Sequence, residues 1–323
     1  MSALSTAAAT TNATAPLAPW RNTLARLLAD RWAVTGLVVV ASFALIALGA
    51  ALGVWAGDWA AMTAPGWSPP SAEHWLGTTR LGQDIAARAL YASRTAFEIG
   101  LAVAVAATLL GGLLGGLAGY CSGCRASTWV DALVRWLTGV LEAIPFYLFV
   151  AAVAFALKGN PWAMHVAMIA TFWTGTARLV RAEVLRIRQM AFVEAARMVG
   201  LAPSKVLVRH ILPHTAPIVL VQGVIAFVAA IKAEVVLSFL GLGGQHSISW
   251  GQMIAESTSE VLAGFHWNFI AASTLLFVLV LGVNLLADGL QDALDPRRAA
   301  RSTPGPGPSR SADGRLARAA DIG

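Results

Sequence analysis

Between apolar runs at 162–180 and 215–240 the chain reads RAEVLRIRQMAFVEAARMVGLAPSKVLVRHILP, from Arg181 to Pro213. Seven lysines and arginines fall between Arg178 and Arg209, and apolar residues recur among them at helical spacing. Gly200 suits the positive φ of a helix C-terminus, and Pro203 suits the first turn of the next helix. The stretch therefore reads as two short amphipathic helices joined by a turn. One apolar side is left to dock in a partner's groove. A rigid element of this kind, tethered at both ends to membrane-crossing runs, is suited to passing force from a soluble protein into a bilayer.

The rest of the chain agrees with a membrane setting. Of 323 residues, 57% are hydrophobic and 12% charged, with a mean hydropathy of +0.66; ordinary soluble domains carry about 25% charged residues. A soluble fold cannot hide so much apolar surface. The expected class is all-α, a polytopic membrane protein with six transmembrane helices, near 33–56, 95–119, 137–157, 162–180, 215–240 and 267–288. Most of these runs reach the ~20 residues that cross a hydrocarbon core. Lys158-Gly159-Asn160-Pro161 separates the third from the fourth as a tight turn, making them a helical hairpin.

Orientation follows from the basic residues. With the N-terminus inside, eighteen lysines and arginines lie in cytoplasmic segments and four outside, while Lys232 lies within a span. That distribution follows the positive-inside rule and accounts for the net charge of +6 without invoking nucleic acid. Both termini are then cytoplasmic. Trp32, Trp55, Trp59, Trp129, Trp136, Trp162 and Trp267 fall at or near the expected span ends, where indole rings favour the headgroup level. Residues 1–19, rich in Ala and Thr with no preceding basic cluster, do not read as a signal peptide.

Catalytic signatures are missing. None of Lys158, Lys205 and Lys232 stands in a Gly-x-x-x-x-Gly-Lys phosphate loop, and neither His-Glu-x-x-His nor Gly-x-Ser-x-Gly occurs. The chain reads as a non-enzyme with no cofactor or metal of its own. Cys121-Ser122-Gly123-Cys124 lacks the two further ligands of a zinc site and the βαβ setting of a redox pair, so it reads as a turn.

Two features inside the spans stand out. Gly111, Gly115 and Gly119 recur every four residues, interleaved with Gly112 and Gly116, the spacing that lets membrane helices approach closely. Lys232 and Glu234 bring charge into the fifth span, where charged groups are costly and usually face a cavity or partner. Two residues apart, they diverge by about 200° around a helix and do not pair directly. They read as candidate translocation-pathway residues, one facing substrate or solvent and the other a neighbouring subunit. Snorkelling or an interhelical hydrogen bond is the alternative.

The quoted stretch also resembles a known family, the inner-membrane permease subunits of bacterial ATP-binding-cassette importers. Glu194-Ala195-Ala196, Gly200 and Leu212-Pro213 match that family's EAA loop in spacing. Arg209-His210-Ile211-Leu212-Pro213 is similar to the RHILP of its dipeptide/oligopeptide/nickel branch, and residues 237–243 resemble the branch's LSFLGLG. Ser249-Trp250-Gly251, the NLLADGL of 284–290 and Leu294-Asp295-Pro296-Arg297 follow in the branch's order. His74 to Arg94 resembles its HxxGTDxxGRDxxSRxxYGxR, with Gly77, Thr78, Gly82, Asp84, Arg88, Tyr91 and Arg94 in place. The match spans roughly residues 20–298. Thr79 and Gln83 depart from the pattern, as do His214 and the stretch 245–248, which puts the substrate rather than the class in question.

The resemblance implies a C-type permease subunit, in which residues 1–32 are a cytoplasmic segment and 33–298 the membrane domain with coupling loop 181–213; 299–323, rich in Pro, Gly, Ser and Arg without apolar periodicity, reads as a disordered tail. It implies a heterodimer with a second permease, two ATP-binding subunits that hold the ATP, and an extracytoplasmic binding protein. Glu194, Ala195, Ala196, Gly200, Arg209, His210, Leu212 and Pro213 would then seat on one ATPase, with Glu194 and Arg209 as charged contacts. Di- and oligopeptides are the expected cargo. Nickel or another small solute in the same family, or an ATP-independent secondary transporter, are the alternatives.

Overall fold

The computed structural model describes residues 19–122, 128–157, 160, 162–244 and 247–294. The tail 299–323, Cys124, most of the 158–161 turn and the Gln245-His246 pair lie outside the described residues. The elements are α1 (Pro19–Ala29), α2 (Arg31–Ala51), α3 (Ile85–Cys121), α4 (Thr128–Ala143), α5 (Phe146–Ala156) and α6 (Ala163–Ile187). There follow α7 (Ala191–Met198), α8 (Pro203–Lys205), α9 (Leu212–Phe239), α10 (Trp250–Leu262) and α11 (Trp267–Leu294). A wide π turn, Val206–Ile211, joins α8 to α9, so that Pro203–Phe239 is one rod of 37 residues. Among the described residues the only β pairing is two isolated bridges, Met62 with Gln83 and Thr78 with Asp84.

Caps place the long helices. The Asp30 carboxylate accepts from the Trp32 amide at 2.9 Å and starts α2, and Asp84 accepts from the Ala87 amide at 3.0 Å and starts α3. Consequently α3 begins about ten residues before the expected 95–119 run. The first span ends at Ala51 rather than at 56, because Gly53 and Ala56 both turn with positive φ.

Among the described residues four helices are long and apolar enough to cross a membrane: α2, α3, the 203–239 rod and α11. The expected straight span at 137–157 is instead α4 and α5, bent by 92° at Ile144-Pro145; together they make a fifth candidate. Proline lacks an amide hydrogen and pushes the preceding residue out of helical geometry, which accounts for the break. The expected 162–180 span is α6, too polar to pass as a lipid-facing helix. It buries His165, Thr174 and Thr176 against protein.

Helix α3 is the centre of the fold, and its glycines set the packing. A Cβ at Gly111, Gly115 or Gly119 would lie 2.5, 2.3 or 2.8 Å from the carbonyl oxygens of Trp173, Ala177 and Arg181 on α6. Each step of four residues on α3 meets a step of four on α6, so the two helices run parallel in register. On its other side α3 meets α9 antiparallel: Gly100 against Phe227 and Ile231, Gly112 against Val219, Gly116 against Leu212. The interleaved glycines thus serve two different neighbours. Outside this core α2 and α11 pack antiparallel, with Gly36 against Gly282 and Leu286, and Ala33 against Gly289.

Residues 52–84 form an ordered layer over the end of the bundle at which α3 begins. Trp67 stacks on Phe265 with ring centroids 5.1 Å apart, and the Arg80 amide donates to the Glu260 carboxylate at 2.9 Å. The buried Arg88 guanidinium donates to Gln83 and Glu256. Helix α10 closes the same end, and its buried Trp250 donates from Nε1 to the Ala89 carbonyl at 3.1 Å.

Candidate functional site

At the opposite end of the bundle the segment 181–213 folds back on the helices that carry it. Val180, Val184 and Ile187 of α6, Val193 and Ala196 of α7, and Val206, Leu207 and Ile211 of the wide turn form one buried apolar cluster. The turn between α7 and α8 forms as its sequence predicts: Gly200 has φ +83°, and Pro203 takes the first helical position. The second helix is not a separate short one, because the wide turn carries it without interruption into α9.

Packing the inward residues this way turns a definite set outward. Glu194, Ala195, Gly200, Arg209 and Pro213 are exposed, His210 and Leu212 are half-buried, and Ala196 is buried. Beside Glu194 and Ala195 stand Met198 and Val199, 83% and 82% exposed, with Phe192 and Leu201 also on the surface. Together they leave an exposed apolar patch on the outward side of α7 and its C-terminal turn.

The segment is also tied to its neighbours by cations. Arg188 donates from Nη1 to the carbonyl oxygens of Gly119, Tyr120 and Ser122, at 3.2 and 3.4 Å for the first two, and so caps the C-terminus of α3. A cation there satisfies free carbonyls and complements the helix dipole. Arg197 lies over the Tyr120 ring, 5.5 Å from its centroid. Arg181 holds Asp131 of α4 with two bonds, 2.5 and 2.9 Å, and Phe192 stacks on His214 at 5.1 Å.

Lys232 and Glu234 are separated by the structure, as their spacing requires. Glu234 is 2% exposed and accepts a hydrogen bond from the Ser238 hydroxyl. It borders a cavity of about 550 Å³ between the first half of α3, the end of α5, the start of α6 and the 241–252 segment. Lys232 points out of the bundle, away from that cavity. The cavity and the 181–213 segment lie toward opposite ends of α3, a helix of 37 residues and thus about 55 Å long.

Residues 111–300, from the glycine ladder through α11, match the family model of the binding-protein-dependent transport system inner membrane component. The chain belongs to this family. Relatives of this permease include the oligopeptide transport system permease protein OppC of Mycobacterium tuberculosis H37Rv, 36% identical over 231 residues, covering 71% of this chain and 77% of the relative. The dipeptide transport system permease protein DppC of Alkalihalophilus pseudofirmus is 31% identical over 282 residues, 87% of this chain and 91% of the relative. DppC of Bacillus subtilis is 33% identical over 230 residues, 71% of this chain and 70% of the relative.

Within this permease, motif spacing located the turn at Gly200 but not the groups that anchor it. Arg188, Arg181, Asp131 and Tyr120 were passed over because each is unremarkable alone; the available signal was an aspartate and arginines at the ends of apolar runs. Glu98 and His165 belong to no motif, and Arg94 stands out only as one position of the 74–94 resemblance. They line the cavity together with Glu234, and partners this far apart in sequence meet only through the helix register.

Proposed function

We propose that the chain is the C-type permease subunit of an ATP-driven importer of di- and oligopeptides, paired with a second permease. Two ATP-binding subunits and an extracytoplasmic binding protein complete the complex. The carrying observation is the outward face of α7, with Glu194, Ala195, Met198 and Val199, on a segment whose inner side is packed into the bundle. Such a face accepts a soluble partner and transmits its movement, since little of it can flex independently. Membership of a binding-protein-dependent family and the named cargo of its relatives support the importer and the peptide.

The basic segment 181–213 then lies in the cytoplasm, and the 52–84 layer faces outward to the binding protein, in keeping with the Lys and Arg distribution. The parallel register of α3 and α6 requires the α4–α5 pair to bring the chain back across the membrane between them. On that basis α6 is itself a span, and six crossings put both termini inside. ATP, held by the partner subunits, closes them and displaces α7. Arg188 and Arg197 carry that displacement into the end of α3, and the unbroken rod carries it into α9. The cavity beside Glu234 is walled by α3, α6 and α9, so their displacement alternates its access. Lys232, outside this cavity, faces the second permease.

The test is purification of the tagged chain in mild detergent with cysteine crosslinking from Ala195→Cys and Met198→Cys. Co-purification of a second permease and ATP-binding subunits, crosslinked at these positions, and ATP-dependent peptide uptake after reconstitution are the expected results. A chain that purifies alone, or uptake abolished by a protonophore and indifferent to ATP, would falsify the proposal.

A further inference from the structure

The cavity beside Glu234 holds charges of both signs that are not spent on each other. Arg94 and Glu98 lie one turn apart on α3, about 6 Å along its axis. Opposite charges at that spacing normally pair along a helix, yet these two form no ion pair with each other or with any other described residue. Arg94 is drawn the other way. Its guanidinium donates to the Tyr91 hydroxyl at 3.3 Å and lies 5.4 Å over that ring, while Tyr91 packs on Trp59 with centroids 5.3 Å apart. The arginine is thus held from behind, on an aromatic stack reaching to the 52–84 layer, and Glu98 is left exposed.

Glu234 and Gln252, which also line the cavity, are committed to the fold. Glu234 accepts from Ser238, and Gln252 donates to the Gly244 carbonyl and completes the helix cap at Ser249. Ile99, Phe155, Met164 and Leu242 supply apolar wall. A volume of about 550 Å³ is within the range of small-ligand sites. Ionisable groups within a spanning helix are costly and characteristically face such a cavity.

We propose that this cavity is a subsite for a zwitterion, with Arg94 taking the carboxylate and Glu98 the ammonium of one short peptide. The inference rests on the peptide-importer reading and adds to it a polarity and a length. An extended dipeptide spans at most ~7 Å, comparable with the spacing of the two side chains along α3. The carboxylate end lies toward the start of α3 and the ammonium end one turn deeper.

The test uses the two permeases with both ATP-binding subunits in lipid nanodiscs, without the binding protein, titrated with alanylalanine, N-acetyl-alanylalanine and alanylalanine amide. The wild type is expected to bind alanylalanine about ten-fold or more tightly than either blocked peptide, the scale of one charged hydrogen bond. Glu98→Gln removes the preference over the acetylated peptide only, and Arg94→Gln removes the preference over the amide only. Co-purification of all subunits and an unchanged Tm show that each variant is assembled. Equal binding of the three peptides, no binding at millimolar peptide, or variants that leave both preferences intact would overturn the subsite. ATP-driven alanylalanine uptake is scored separately, with the wild-type complex reconstituted in proteoliposomes together with the binding protein: uptake without charge preference defeats the subsite alone, and absence of any peptide uptake defeats the importer reading.

Discussion

Gly112 and Gly115 stand one turn apart on the same helix, and alanine at either gains the same intrinsic helical preference. The structure gives these two substitutions opposite signs. A Cβ at Gly115 would lie 2.3 Å from the Ala177 carbonyl oxygen and 2.8 Å from the Ala177 Cα. Both are backbone atoms of α6, so no rotamer change relieves them, and the helices must part by roughly 1 Å to restore ordinary contact. Parting them there also loosens the approaches at Gly111 and Gly119, which share the interface. Overpacking of this kind costs about 1–3 kcal/mol. At Gly112 the nearest atom is the Val219 Cγ2 at 3.7 Å, an ordinary contact with a side chain, and the substitution gains up to about 1 kcal/mol of helical preference. Gly115→Ala should therefore lower the apparent Tm of the purified complex by about 2–12 °C and reduce uptake, while Gly112→Ala leaves both unchanged or improved. Thermal unfolding followed by size-exclusion chromatography, with uptake in proteoliposomes, measures the pair. Equal stability of the two variants would refute the parallel α3–α6 register from which the prediction is built.

Three further outcomes are expected. Gly200→Pro abolishes uptake while insertion and yield are kept: proline cannot adopt φ +83° and loses the amide that donates to the Arg197 carbonyl at 2.9 Å. No other group lies within 4 Å of a Cβ there, so normal uptake by this variant would remove residue 200 from the coupling element. Arg188→Ala leaves the α3 carbonyls without their cap, a loss of about 1.5–3 kcal/mol per charged hydrogen bond, and is expected to leave ATP hydrolysis running with uptake much reduced. Hydrolysis and uptake falling in proportion would show that Arg188 carries only stability. Glu234→Gln should alter uptake with assembly intact; if both stay at wild-type levels, Glu234 has no place in the pathway.

The sequence exposed those parts of the protein in which a local rule is decisive. Gly200 and Pro203 announce their turn because few other residues suit those backbone positions, and the four-residue recurrence of Gly111, Gly115 and Gly119 marks a close helix contact wherever it occurs in lipid. What stayed hidden depends on neighbours. Helix α6 reads as an ordinary span, yet its His165, Thr174 and Thr176 are buried against protein rather than facing lipid. The 137–157 run looked continuous because hydropathy averages over Pro145, which breaks it. The anchoring role of Arg188 cannot be read from its own segment, since its three acceptors lie 66–69 residues earlier. Arg94 and Glu98 carry no signal as a pair until it is seen that Tyr91 holds the arginine away from the glutamate.

These particulars bear on how a push at one end of the molecule reaches the other. A helix held at a single point can tilt without moving its neighbours. Helix α3 is instead held to α6 by three backbone approaches in register, whereas on its other side Gly100, Gly112 and Gly116 meet only side chains of α9, which can yield. Rotating α3 about its own axis would drive the Gly115 face into Ala177, and sliding it by less than a full turn would carry the side chains between the glycines into the α6 carbonyls. The movements left to it are those in which α3 and α6 go together. Arg188 and Arg197 join the α7 segment to the end of that pair, while Arg94 and Glu98 stand on its other half, in a cavity that α9 and the 241–252 segment complete. Displacement of α7 therefore reaches the cavity as a rigid shift of two walls against a third, without requiring α3 to bend.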